Sequence, residues 1–129
     1  MTQKIGIGLA GFGTVGAGVY KNLLRNAALL EQRIGVEFEV RKIAVRDLSK
    51  TRDVQAPAEL FTDSPDELLA DPSIHVVVEL MGGIEIPLAF VKKAIAAGKI
   101  VITGNKALLA EHGREIFQLA AEKRVPVFY

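Results

Sequence analysis

The chain has 129 residues, half of them hydrophobic, with 16 lysines and arginines against 15 acidic residues and a net charge of +1. Such a chain can bury one ordinary core, and its balanced charge excludes a whole-chain field that recruits nucleic acid or an acidic membrane, so any anion site must be local. It has no cysteine, and His75 and His112 lie far apart, which excludes disulfides and thiolate or zinc-spaced metal sites and fits a reducing cytoplasm.

The N-terminal MTQKIGIGLAGFG has glycines and only a short apolar stretch, so it is not expected to act as a secretory signal, and no segment approaches the length of a membrane span. Lys4–Ala10, KIGIGLA, is short, apolar and followed at once by glycines, which predicts a buried strand. Next comes GFGTVG, Gly11 to Gly16, a G-x-G-x-x-G motif between a strand and a helix. In that setting Gly11 permits a tight turn, Gly13 lets the backbone approach a pyrophosphate, and Gly16 allows the helix to pack closely on the strand. The helix N-terminus adds unpaired N–H groups and partial positive charge. From Val15 onward, Val19, Leu23, Ala27 and Leu30 recur at helical spacing up to Gly35, as one face of an amphipathic helix does.

Val36, Phe38 and Val40 alternate, and the phase then changes to Ile43 and Val45; a half-buried strand with a bulge is the simplest reading. It ends in AVRD, and the polar RDLSKTRDVQAP that follows reads as a loop. Arg46 there can hold a ribose 2′-phosphate by a charge-assisted fork, with Lys50 assisting. Asp47 can instead bind a free 2′-hydroxyl, and the whole segment can also be a solvated charged loop. ELFTD is a weak short strand. SPDELLA carries Ser64 as a cap, Pro65 in the first turn and Glu67 three residues on, the signature of a capped short helix.

HVVVEL, 75–80, is the clearest buried strand, and it runs into Met81, Gly82 and Gly83. The two glycines permit close backbone approach to a ribose or nicotinamide, or simply a turn. Glu79 sits at the end of an apolar strand, where a carboxyl group needs a donor; a ribose or the neighbouring backbone can supply it, and the backbone is favoured. Residues 86–97 read as a helix closed by Gly98, and KIVIT as another strand. Thr103, Asn105 and Lys106 follow it, with Asn105 able to cap the next helix. That helix is expected to run to about Lys123 with a break near His112 and Gly113. VPVFY reads as a final strand whose Pro126 favours an edge, and its abrupt stop suggests a cut at a domain boundary.

Strands alternating with helices imply parallel pairing with right-handed crossovers. All strand carboxyl ends then lie on one edge, where ligands bind in open α/β sheets. A lysine in the first turn of a helix is electrostatically misplaced, which weighs toward a function for Lys106 over a merely solvated side chain.

Together GFGTVG, AVRD, VVVELMGG and TGNKALLA, in this order over the whole chain, resemble the nucleotide-binding domain of the homoserine dehydrogenases. The resemblance implies a Rossmann-type doubly wound parallel α/β sheet, one NAD(P)-binding domain over residues 1–129, truncated before a substrate domain. Members of that family reversibly reduce L-aspartate 4-semialdehyde to L-homoserine with NADH or NADPH, on the route to threonine, methionine and isoleucine. Phe12, Gly13, Thr14 and Val15 are then expected at the pyrophosphate, with Gly11 and Gly16 shaping the loop. Arg46 is expected on the adenosine side, which favours NADP over NAD, with Met81, Gly82, Gly83, Thr103 and Asn105 along the rest of the coenzyme. Lys106 is expected to be catalytic, at the nicotinamide end. The family commonly has alanine where Gly104 stands.

A second catalytic lysine, an acidic substrate cluster and a monovalent metal site would lie beyond Tyr129, so this piece alone is expected to be inactive, with no metal of its own. The implied setting is a cytoplasmic homo-oligomer acting on a small-molecule substrate, without nucleic acid or membrane partners. Competing readings are another two-domain dehydrogenase, acting on aspartate or a sugar, and a non-catalytic NAD(P)-sensing module.

Overall fold

A computed structural model describes residues 3–50 and 56–129. The first strand, β1 (Gln3–Ala10), leads through the glycine loop into α1 (Thr14–Ile34), β2 (Val36–Ala44), β3 (Phe61–Thr62), α2 (Asp66–Ala70), β4 (Val76–Glu79), α3 (Glu85–Ala96), β5 (Ile100–Thr103), α4 (Lys106–Lys123) and β6 (Val127–Phe128). Six parallel strands pair in the order β3-β2-β1-β4-β5-β6. The chain winds outward from β1 to β3 and then returns to start again at β4, so the winding reverses between β1 and β4, the place where such sheets open a crevice.

Strand parity sorts the side chains onto two cores. Val77 and Val101 pack with Leu68, Phe90, Ile95, Leu108 and Ile116 beneath α2, α3 and α4. Ile7, Leu9, Ile43, Val76 and Val78 face the other way, with Phe12 and Tyr20 near the start of α1. The glycines of KIGIGLA serve this packing: a Cβ on Gly8 would lie 2.9 Å from Leu68 Cγ, and one on Gly6 1.9 Å from the Ser73 carbonyl oxygen. On the α1 side the cover is incomplete. Val76, Val78, Ile100, Ile102 and Phe128 help line an apolar groove of about 400 Å³. Among the described residues no helix is long and apolar enough to cross a membrane.

The phase change in the second strand is a bulge, since Ile7 pairs with Val40 but Gly8 pairs with Lys42, leaving Arg41 as the extra residue. Gly35 closes α1 at φ +67°, its N–H donating to the Glu31 carbonyl at 2.9 Å. The final strand pairs with β5 alone and is an edge. Of the polar loop after β2, residues 51–55 lie outside the described residues.

Two expectations need correction and a third is narrowed. Ser64 does not cap α2 with its side chain; Glu67 turns instead to the Thr62 hydroxyl, whose oxygen also accepts the Ser64 N–H. The short strand expected in ELFTD is present but covers only Phe61–Thr62, after a 3₁₀ turn at Ala58–Leu60. No break occurs near His112 and Gly113, because α4 is continuous. A helical glycine costs only about 1 kcal/mol relative to alanine, and Gly113 lies buried between Leu109 and Phe117. His112 Nδ1 lies 2.5 Å from Glu115 Oε1, and Glu115 Oε2 lies 2.9 Å from Lys92 Nζ on α3. Lys92, then His112, hold the Glu115 carboxyl below its usual pKa.

Candidate functional site

The glycine loop is shaped by two glycines that no other residue could replace without moving backbone. Gly11 has φ +112°, and a Cβ there would come within 2.8 Å of the Leu80 carbonyl oxygen. A Cβ on Gly16 would lie 2.4 Å from the Gly11 carbonyl oxygen, so α1 seats directly on the end of β1. The loop is also held from both sides, Gly11 N–H donating to the Ala44 carbonyl and Leu80 N–H to the Ala10 carbonyl, each at 2.9 Å. Gly13 occupies the cap position of α1 without a side chain to satisfy the first turn. Ala17 makes the first intrahelical bond, to the Gly13 carbonyl at 2.9 Å. The N–H groups of Thr14, Val15 and Gly16 precede it and point out of the helix end. A Cβ on Gly13 would meet nothing within 4 Å, so the space in front of the α1 N-terminus is open.

Phe12 is placed differently from its neighbours. Its ring is buried, edge-on to Tyr20 at 5.7 Å and to Phe61 at 5.3 Å, so only its backbone can reach a phosphate. Gly11, Phe12, Gly13, Arg46 and Met81 line one cleft of about 590 Å³, together with Asp47 and Lys50. Arg46 is exposed at the mouth of that cleft. Asp47 turns back on its own loop, Oδ1 accepting the Ser49 N–H at 2.9 Å and its Oγ–H at 2.6 Å. Asp63, Pro65 and Ile86 line the cleft as well and were not anticipated. Asp63 directly follows β3, so its place on the carboxyl edge was readable; Ile86 carried no signal beyond an apolar residue at a helix start.

At the ends of β4 and β5 the geometry is set by a buried carboxyl group. Glu79 is fully buried, with Oε1 accepting the Met81 N–H at 2.9 Å and Oε2 the Thr103 hydroxyl at 2.7 Å. The backbone partner favoured from sequence is therefore present, joined by a threonine. Thr103 is itself buried, and its oxygen accepts the Asn105 N–H at 3.1 Å, so its hydroxyl is occupied within the protein. Asn105 caps α4, Oδ1 accepting the Leu108 N–H at 3.0 Å, while Nδ2 donates to the Gly83 carbonyl at 2.7 Å. Gly82 and Gly83 are exposed with φ +77° and +79°. Lys106 follows as the exposed first residue of α4, and no partner for its ammonium occurs among the described residues. A Cβ on Gly104 would press only on Leu80 Cδ2, at 2.9 Å, the movable end of a side chain.

The strand order fixes how these pieces line up. Arg46 follows β2, Gly11–Gly16 follow β1, Met81–Gly83 follow β4 and Lys106 follows β5, and these strands are consecutive in the sheet. Arg46 and Lys106 are thus three strand spacings apart, about 14 Å, with the glycine loop between them. The cleft reaches Met81 but not Lys106; the Asn105–Gly83 bond ties the lysine's turn to the cleft's rim.

A Rossmann-type domain with a dinucleotide-binding loop at its switch point is the class that this sheet order and glycine geometry define. The family described as homoserine dehydrogenase, NAD binding domain, matches residues 11–129, and the chain belongs to it. The homoserine dehydrogenase of Corynebacterium glutamicum is 43% identical over 127 residues, covering 98% of this chain and 28% of that protein. That of Neisseria gonorrhoeae is 45% identical over 126 residues, covering 97% and 28%. A crystal structure of the Staphylococcus aureus homoserine dehydrogenase superimposes with a TM-score of 0.94 at 36% identity, covering all of this chain and 32% of that one. The chain therefore spans less than a third of the length of these relatives.

Proposed function

We propose that residues 1–129 form the coenzyme-binding domain of an enzyme that interconverts L-aspartate 4-semialdehyde and L-homoserine. The observation that carries the proposal is the placement of Lys106: a lysine held by a capped helix start, on the same sheet edge as an open phosphate loop. The bound coenzyme would supply the hydride in its reduced form, NADPH or NADH, and accept it in its oxidised form, NADP or NAD. The free N–H groups of Thr14, Val15 and Gly16 receive the pyrophosphate oxygens, and the Phe12 and Gly13 backbone passes close beside them. Arg46 forks onto a 2′-phosphate, which favours NADP. Met81, Gly82, Gly83 and Asn105 line the path toward the nicotinamide end, where the Lys106 ammonium gives a proton to the substrate's carbonyl oxygen as it gains negative charge.

The substrate domain of this reading lies outside residues 1–129, so the isolated domain is proposed to bind coenzyme without turnover. A cytoplasmic homo-oligomer completes the proposal. The cysteine-free chain supports the first part, and the apolar groove on the α1 side, a surface that association would cover, supports the second.

The test is turnover of aspartate 4-semialdehyde by the full-length chain. Lys106→Ala is expected to lower kcat by about 100- to 10,000-fold, the range of a general acid, with a much smaller change in coenzyme affinity. Lys106→Arg is expected not to restore it, since a guanidinium stays protonated and has another shape. Near-normal turnover with lost coenzyme binding would make Lys106 an anchor and overturn the catalytic role.

A further inference from the structure

The geometry points to Glu79 as a positioning residue that, through Thr103 and Asn105, sets the place of Lys106. Glu79 and Thr103 are direct partners in the β4–β5 register, so both side chains lie on one face of the sheet. That face is the one covered by α3 and α4, since Val77 and Val101, two residues earlier on each strand, belong to the core there. A fully buried acid at this point is expensive unless hydrogen-bonded, and an apolar residue would seal a sheet end at lower cost. What the carboxyl group adds is a connection.

One oxygen holds Met81 N–H at the entrance to the two positive-φ glycines. The other holds the Thr103 hydroxyl, whose oxygen fixes Asn105 N–H. Asn105 closes the circuit by bonding both the Leu108 N–H inside α4 and the Gly83 carbonyl. The Glu79 backbone adds a further tie, its carbonyl accepting the Gly104 N–H at 3.1 Å. The two loops flanking the reacting end are thereby locked to each other, and Lys106 is the next residue after the lock. Glu79 does not need to touch coenzyme or substrate to do this.

The inference rests on the reading of Lys106 as the proton donor, and its test separates the two. In the full-length chain, Thr103→Val keeps the side-chain shape but removes the relay. It is expected to lower kcat about 10- to 100-fold, as a misplacement of the order of 1 Å does, with the coenzyme KM changed less than about threefold. Thr103→Ser, which keeps the hydroxyl, is expected to retain wild-type kcat. In a Lys106→Ala background Thr103→Val is expected to cause no further loss. A lowered Tm with unchanged kcat, or losses that multiply in the double variant, would overturn the inference by leaving Glu79 and Thr103 as structural groups.

Amide hydrogen exchange probes the same relay without any turnover. Glu79→Gln is expected to speed exchange at Met81, which Glu79 touches, and at Leu108, which it does not. An unchanged Leu108 amide would sink the relay even if Lys106 proves catalytic. Faster exchange at Leu108 with full turnover in Lys106→Ala would instead sink the proton-donor reading and leave the lock standing.

Discussion

Replacing Gly13 by alanine separates what the loop does for the fold from what it does for a ligand. The residue has φ −75° and an extended conformation, so alanine fits without backbone strain, and the new methyl meets no protein atom within 4 Å. Two small terms act on stability. Fewer unfolded conformers stabilise the variant by about 0.4–1 kcal/mol, while alanine is a poorer helix cap than glycine by a similar amount. Tm should therefore stay within about 4 °C of the parent. Binding should not stay. The methyl enters the cleft where phosphate oxygens approach the first turn of α1, and losing one charge-assisted hydrogen bond costs about 1.5–3 kcal/mol, or about 10- to 150-fold in Kd. Gly16→Ala is the opposite case: its methyl would lie 2.4 Å from the Gly11 carbonyl oxygen, so it should destabilise the fold by about 1–3 kcal/mol. Thermal melts and calorimetric titration with NADPH on both variants provide the data. A Gly13→Ala domain that binds NADPH as tightly as the parent, or that loses Tm as Gly16→Ala does, would refute the reasoning.

Arg46→Ala should weaken NADP by about 1.5–3 kcal/mol, the worth of a charged hydrogen bond, while leaving NAD nearly unchanged; equal losses in titrations of the two coenzymes would give Arg46 a structural role. Lys99 is a buried lysine at the opposite edge of the sheet, with Nζ donating to the Asp71 and Ile74 carbonyls at 2.7 and 2.6 Å. Lys99→Met should cost about 1–3 kcal/mol per orphaned carbonyl without altering coenzyme affinity, and an unchanged urea midpoint would contradict this. Ser73 donates its Oγ–H and N–H to Asp71 Oδ1 at 2.7 and 2.8 Å, and these bonds hold the Asp71 carboxyl below its usual pKa. A lowered folded value adds stability above the unfolded pKa, about 3.9, and that stability is lost as pH falls through the folded value. Ser73→Ala should therefore flatten the loss of stability below about pH 4; acid denaturation curves with equal slopes would refute it.

The parts legible in the sequence were those where a local rule and the global fold agree. β4 and β5 are short apolar runs ending in glycine or polar residues, and the Arg41 bulge announced itself as a change of phase between Val40 and Ile43. The expected break in α4 failed because it weighed the propensity of Gly113 alone, whereas the packing of Leu108, Ile116 and Ala120 holds the helix through it. Ser64 failed as a cap because the cap position falls on Pro65, one residue later, and the nearby Thr62 takes both the Glu67 carboxylate and the Ser64 N–H. Within the candidate site, the position of the glycine loop, Arg46 and Lys106 at strand carboxyl ends was legible, because each stands just past the end of a short apolar strand. The inward turn of Thr103 could have been read from its parity with Val101. The burial of the Phe12 ring and the arrival of Ile86 at the cleft could not, because both depend on how α1 and α3 settle on the sheet.

The central claim is that a dinucleotide lies along the carboxyl edge from Arg46 to Lys106. Amide NMR of the 129-residue domain titrated with NADP tests it most directly. Saturable shifts are predicted at Phe12–Gly16, Arg46, Met81–Gly83 and Asn105–Lys106, with Ser73 and Lys99 on the amino edge and Ile100 and Phe128 in the apolar groove left unmoved. Shifts centred on the groove or the amino edge, or a set that stops at the glycine loop without reaching Lys106, would contradict it.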